Sequence, residues 1–277
     1  SDDSEDILPR WLRFVKGVVD TSDVDLNVSR EMLQHNSALN KISKALKKRV
    51  LNELKKMKDK DTEKYNTFWR EFGIVMKEGI YEDFDLKNEI LEISKFHSMK
   101  LNKDVFLSEY SEEMNPEQKD IFYIASENKE MAEGSPHLEV FKKKKLDVLF
   151  FTDPIDTFWL SMAGEFQGKK FTSITKGDID LSAFSDEKKK KEKKDNVAID
   201  ALVKKIKEIL GESVQDVKAS SKLVDSPCCL VAPDSGMDVQ MERIMKIQNK
   251  DFKGMPRILE INPDHDIIKK LNDIKDK

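Results

Sequence analysis

Arg30 and Gln34 stand four residues apart in Asn27-Val28-Ser29-Arg30-Glu31-Met32-Leu33-Gln34, a string whose Asn/Ser-rich start predicts the first turn of a helix. At 3.6 residues per turn the two side chains share one face, a turn apart. The N-terminus of a helix already favours an anion through its free N–H groups and its dipole. A permanently charged guanidinium fork with an amide beside it suits a terminal phosphate. Residue chemistry alone keeps a second reading open, in which Arg30 caps the helix or pairs with Glu31 or another neighbour. The element that must deliver this helix is an apolar stretch (Phe14, Val15, Val18, Val19), which predicts a strand over 11–20 running into an acidic turn.

Gly17-Val18-Val19-Asp20 followed by Leu26 to Gln34 resembles the middle domain of the ninety-kilodalton heat-shock chaperones, most closely in their bacterial form. The resemblance implies that Arg30 reaches across to the γ-phosphate of ATP, and that Gln34 assists. In that family ATP and Mg are bound by a separate N-terminal domain, whose Asn-containing Mg-binding helix and glycine-rich lid have no counterpart here. The family further implies a chaperone of the stress response, cytoplasmic, acting on partly folded client proteins. The resemblance covers the whole chain, yet the chain covers under half of the family's length.

Composition narrows the alternatives. With 277 residues there is room for two domains, and 37% charged against 38% hydrophobic residues gives an ionised surface over a supplied interior. A net charge of −4, from 49 basic and 53 acidic residues, makes no overall electrostatic case for nucleic acid. Cys228 and Cys229 are adjacent, which disfavours a bridge between them, and the run Cys228-Cys229-Leu230-Val231 predicts reduced core residues in a buried strand. The four histidines lie far apart, so no zinc-type spacing occurs. No apolar run reaches the ~18–20 residues that span a bilayer, and the acidic start Ser1-Asp2-Asp3-Ser4-Glu5-Asp6 is the opposite of a secretory leader.

The fold class expected is α/β and α+β. Leu39, Ile42, Leu46, Val50 and Leu54 recur at helical spacing, and Asp61-Thr62-Glu63-Lys64 starts a second helix whose Tyr65, Phe68, Trp69, Phe72 and Met76 predict core. A third helix is expected over Leu86–Met99. Apolar runs at 121–125, 147–152 and 171–175 alternate with helices expected over 129–143 and 155–166, the pattern of a βαβ layer with a parallel sheet. Residues 185–196 hold a Lys/Glu run that buries nothing and predict an exposed linker. Beyond it come a helix from Val197 stopped by Gly211, strands at 214–219 and 228–232, a helix over 237–247, a strand at 257–261 and a last helix from His265. In family terms, 1–184 is middle domain: 1–60 ends a large αβα part, 61–115 is a helical connector, and 116–184 is a small αβα part. Residues 197–277 form a C-terminal domain without its last dimerisation helices, so the chain alone is expected to be monomeric.

One more feature bears on binding. Met237, Met241, Ile244, Met245 and Ile247 alternate with Glu242, Arg243 and Lys246 after the flexible Pro233-Asp234-Ser235-Gly236. By spacing these apolar residues are one buried face of an ordinary helix. The family resemblance instead implies that Met237, Ile244 and Met245 contact client proteins, since methionine surfaces adapt to many partners. No nucleophile–base pair or carboxylate dyad marks the strand ends, where Asp153 and Asp156 read as helix N-terminal residues. A non-enzymatic adaptor built of charged helices is the alternative, and it leaves Arg30 without a role.

Overall fold

Lys and Glu interrupted every third or fourth position by Leu, Ile or Val fold as α1 (Ser37–Lys60). In the computed structural model of the chain the described residues are 7–20, 37–176, 179–184, 197–233, 239–249, 251–252 and 254–274. They fall into two units, and the first comprises the described residues of Ser1–Lys95 with Phe106–Ser108 and Phe158–Phe166. Its second helix, α2 (Thr62–Glu82), starts where Asp61 accepts the Lys64 N–H at 3.0 Å, as the sequence predicted. Tyr65, Trp69, Met76 and Ile80 form its buried face. Leu51 and Leu54 of α1 and Ile90 and Leu91 of α3 (Lys87–Ile93) are buried beside them. The Tyr65 hydroxyl donates to the Ile93 carbonyl, and burial pushes that phenol above its ordinary pKa.

The strand expected over 11–20 does not form. After Pro9 the chain makes a single 3-10 turn, Arg10–Leu12, that drives Trp11 and Leu12 into the core. Gly79 makes this possible: a Cβ there would lie 2.7 Å from the Trp11 ring. Burying one indole outweighed the weak alternation downstream, and Val18 is left 96% exposed. Phe14 instead joins Phe68 and Phe72, at ring separations of 5.2 and 5.1 Å. The third helix also ends early, because Phe96 and Ser98 alternate inward as strand β1 (Lys95–Ser98).

In the second unit the sheet orders its strands β2 (Lys103–Phe106), β1, β4 (Leu149–Phe151), β3 (Ile121–Ala125) and β6 (Lys169–Ser173). β3 is parallel to both β4 and β6, and β1 runs antiparallel to β4. All five residues of β3 are buried, as a strand covered on both faces requires. Between β2 and β3 lies α4 (Leu107–Glu112), whose Tyr110 hydroxyl donates to the Asp147 carbonyl at 3.0 Å. The helix expected over 129–143 is broken into α5 (Lys129–Glu133), a 3-10 turn at Pro136–Leu138, and α6 (Glu139–Lys143). Pro136 is the cause, since it supplies no N–H and pushes Ser135 out of helical geometry. α7 (Asp156–Ala163) follows β4, and Glu165–Phe166 forms the two-residue strand β5.

The same unit holds a three-stranded sheet ordered β7 (Asp216–Ala219), β9 (Ile258–Ile261), β8 (Cys228–Val231). β9 is parallel to β7 and antiparallel to β8. Val214, Val217, Ile261 and Ile268 form its core with Leu202, Val203, Ile206 and Leu210 of α8 (Val197–Leu210); Ile268 comes from α10 (Asp266–Asp273). Cys228 and Cys229 are free, as expected, but they are not core residues. On this edge strand Cys228 is exposed and Cys229 is only half-buried, though burial still pushes its thiol up to about 12. The fold is therefore α/β followed by α+β.

Candidate functional site

Arg30, Gln34 and Met237 lie outside the described residues; Ile244 and Met245 lie within them. Downstream of Gln34, α1 carries Lys44, Lys47 and Lys48 along one wall of a cleft of about 430 Å³. Asp83, Asp85 and Glu89 line the other wall, and Lys47 bridges to Asp83 at 2.6 Å. Opposed charges on the two walls leave no net field for a single anion. Asn40, Ser43 and Leu86 complete the lining, which holds no Cys or His.

Ile244 and Met245 sit on α9 (Val239–Gln248), and both are half-buried. The helix is tethered by Glu242, which sequence spacing passed over as one of the interleaved charges. Glu242 is buried and accepts from Arg257 at 2.6 Å, with Lys246 at 3.1 Å. Burial alone would raise its carboxyl; Lys246 and Arg257 outweigh that and hold it below the usual range. Gly254, at φ +78°, lets the chain pass so close that a Cβ would fall 2.1 Å from the Glu242 Oε1. Arg243 pairs with Glu127, just beyond β3. One side of α9 is thus anchored by charge, while Ile247 stands 72% exposed and Ile244 and Met245 lie between the two extremes.

At the C-terminal ends of β3 and β4 the reading of Asp153 and Asp156 holds. Asp156 is buried at the start of α7 and its carboxylate accepts the Asp153 N–H at 3.1 Å. Among the described residues no group of three or more His, Cys, Asp or Glu is placed to hold a metal. Sequence reading misses the buried polar cluster after Pro136, because its members are distant along the chain. His137 is buried near Lys222, Arg257 and Glu139, with a hydrogen bond to the backbone of Leu230.

Burial, helped by Lys222, pushes His137 down to about 4. Its folded pKa therefore lies below the ordinary histidine value of about 6.5, and the unfolded chain takes up the proton first. Its contribution is complete above about pH 6.5 and is lost as pH falls toward 4. At about 1.4 kcal/mol per pH step, the protein should lose about 2 kcal/mol from this group between pH 7 and pH 5. His137→Gln should flatten that part of the profile in chemical denaturation at the two pH values; an unchanged pH dependence would refute it.

Two comparisons with known proteins agree. The profile of the Hsp90 protein family matches residues 1–277. The chain is 43% identical over 278 residues to the chaperone protein HtpG of Burkholderia cenocepacia (strain HI2424), covering 98% of this chain and 44% of that protein. It is 42% identical over 273 residues to the chaperone protein HtpG of Buchnera aphidicola subsp. Acyrthosiphon pisum (strain APS), with the same shares of 98% and 44%. The chain thus spans less than half the length of these relatives.

Proposed function

The chain belongs to the Hsp90 family, and from that membership we propose that it is the middle and C-terminal segment of an ATP-dependent molecular chaperone. The observation that carries this is a family match unbroken from residue 1 to 277, with the Arg30–Gln34 string inside it. In this reading Arg30 contacts the γ-phosphate of ATP held with Mg by the protein's own N-terminal domain, and Gln34 supports it. The segment completes an ATPase without hydrolysing ATP alone. Its division into 1–184, a linker at 185–196 and 197–277 follows the family pattern. Its partners are that ATPase domain, a second subunit and partly folded client proteins, in the cytoplasm.

Met237, Ile244 and Met245 would meet the clients. The half-burial of Ile244 and Met245 supports this reading, because a helix tethered along its charged side keeps part of its apolar surface accessible. Replacing all three with serine should weaken suppression of client aggregation several-fold. The melting temperature should fall by only a few degrees, since partly exposed side chains contribute modestly to folding. Unchanged suppression, or a collapse of the fold, would overturn the assignment.

A further inference from the structure

The loop between β7 and β8 is held from two sides. Asn262, buried at the end of β9, donates through Nδ2 to the carbonyls of Val224 and Ser226 at 3.2 and 3.1 Å. Its own N–H donates to the Pro227 carbonyl at 2.8 Å. Those bonds come from within the three-stranded sheet. The other side is served by one side chain from the βαβ layer, Glu139 at the start of α6.

Glu139 Oε2 accepts the N–H groups of Val224 at 2.7 Å and Asp225 at 2.8 Å. The Ser226 N–H donates to Oε1 at 3.1 Å, and the Ser226 hydroxyl donates to the same oxygen. Three successive amides converging on one carboxylate form an anion-binding nest, and here the anion is supplied by the chain itself, 85–87 residues away. Charge-assisted bonds of this kind are roughly twice as strong as neutral ones, and Glu139 sits on a turn fixed by the buried Leu138 and Phe141.

Other links between the described residues of the two sheets lie nearby. The Ala232 N–H donates to the Thr175 carbonyl at 3.0 Å, His137 bonds the Leu230 backbone, and Arg243 pairs with Glu127. We propose that Glu139 is the latch that fixes the β7–β8 loop, and with it the three-stranded sheet, to the βαβ layer. Opening this one contact frees the two sheets to reorient while each keeps its own core.

The test uses the 277-residue chain with Glu139→Ala, Glu139→Gln and Ser226→Ala. Glutamine keeps the shape but turns an amide donor toward the Ser226 N–H, so it should behave like alanine. In both Glu139 variants hydrogen exchange at Val224, Asp225 and Ser226 should quicken at least tenfold, with exchange at Ile124 and Phe150 unchanged within about twofold. Residual dipolar couplings of the two sheets should fit one alignment tensor in the parent and two in the variants. Ser226→Ala should shift the loop in the same direction by less. A single tensor in both Glu139 variants, unchanged loop exchange, or an effect of alanine without glutamine would overturn the proposal.

Discussion

In a full-length chain carrying the N-terminal ATPase domain, Arg30→Ala should lower steady-state ATP hydrolysis by about 10³-fold while nucleotide binding stays nearly intact. Charge develops on the γ-phosphoryl oxygens as the bond to the leaving group loosens, so a cation that touches them only then acts on rate and not on affinity. Arg30→Lys should recover part of the loss, because an ammonium supplies charge without the planar two-pronged fork. Gln34→Ala should cost less than Arg30→Ala, since an amide adds no charge. The 277-residue chain by itself should hydrolyse nothing. Normal turnover in full-length Arg30→Ala would sink the assignment and restore the plainer reading, in which Arg30 pairs with a neighbour.

Where periodicity and local caps decide structure, the sequence was readable. The Leu39–Leu54 stripe gives α1, Asp61 starts α2, Gly211 follows α8, and the run at 121–125 is β3 residue for residue. It misled where a distant partner decides. Trp11 leaves its expected strand because Gly79, far along the chain, opens a slot for the indole. Phe96 and Ser98 leave the third helix because β4 offers a strand to pair with. Pro136 is a local signal, and it breaks the helix expected to pass through it. Cys228 is exposed because β8 lies at a sheet edge, which no run of apolar letters reveals.

The candidate site divides along the same line. Arg30 and Gln34 are proposed from helical spacing and a local string, Met237, Ile244 and Met245 from the family pattern. Glu139 and Glu242 were missed. Each has a partner 15 or more residues away, and a glutamate on a helix looks like any solvated one until its donors are placed. Glu139 and Glu242 hold elements together and read as surface, and Phe72, read as core, is 38% exposed at the edge of the aromatic cluster.

Phe141→Ala should be the most damaging single change in the βαβ layer. The side chain is fully buried among Phe122, Leu138, Leu146, Val148 and Ile174, with its ring 5.1 Å from Phe122 in an edge-on arrangement. Removing a buried phenyl group costs about 3–5 kcal/mol, from lost transfer energy and the cavity left behind. Phe141→Leu should cost about 1 kcal/mol, since it keeps most of the volume. Both would be read from urea denaturation followed by far-ultraviolet circular dichroism. The alanine variant should do more than lower stability. Phe141 pins the two-turn stretch that carries His137 and Glu139, so the cavity should loosen the amides of Val224–Ser226 under native conditions as well as those of β3. Faster exchange at β3 with the 224–226 amides still protected would mean that the latch is positioned by the rest of the 3-10 turn and not by this ring.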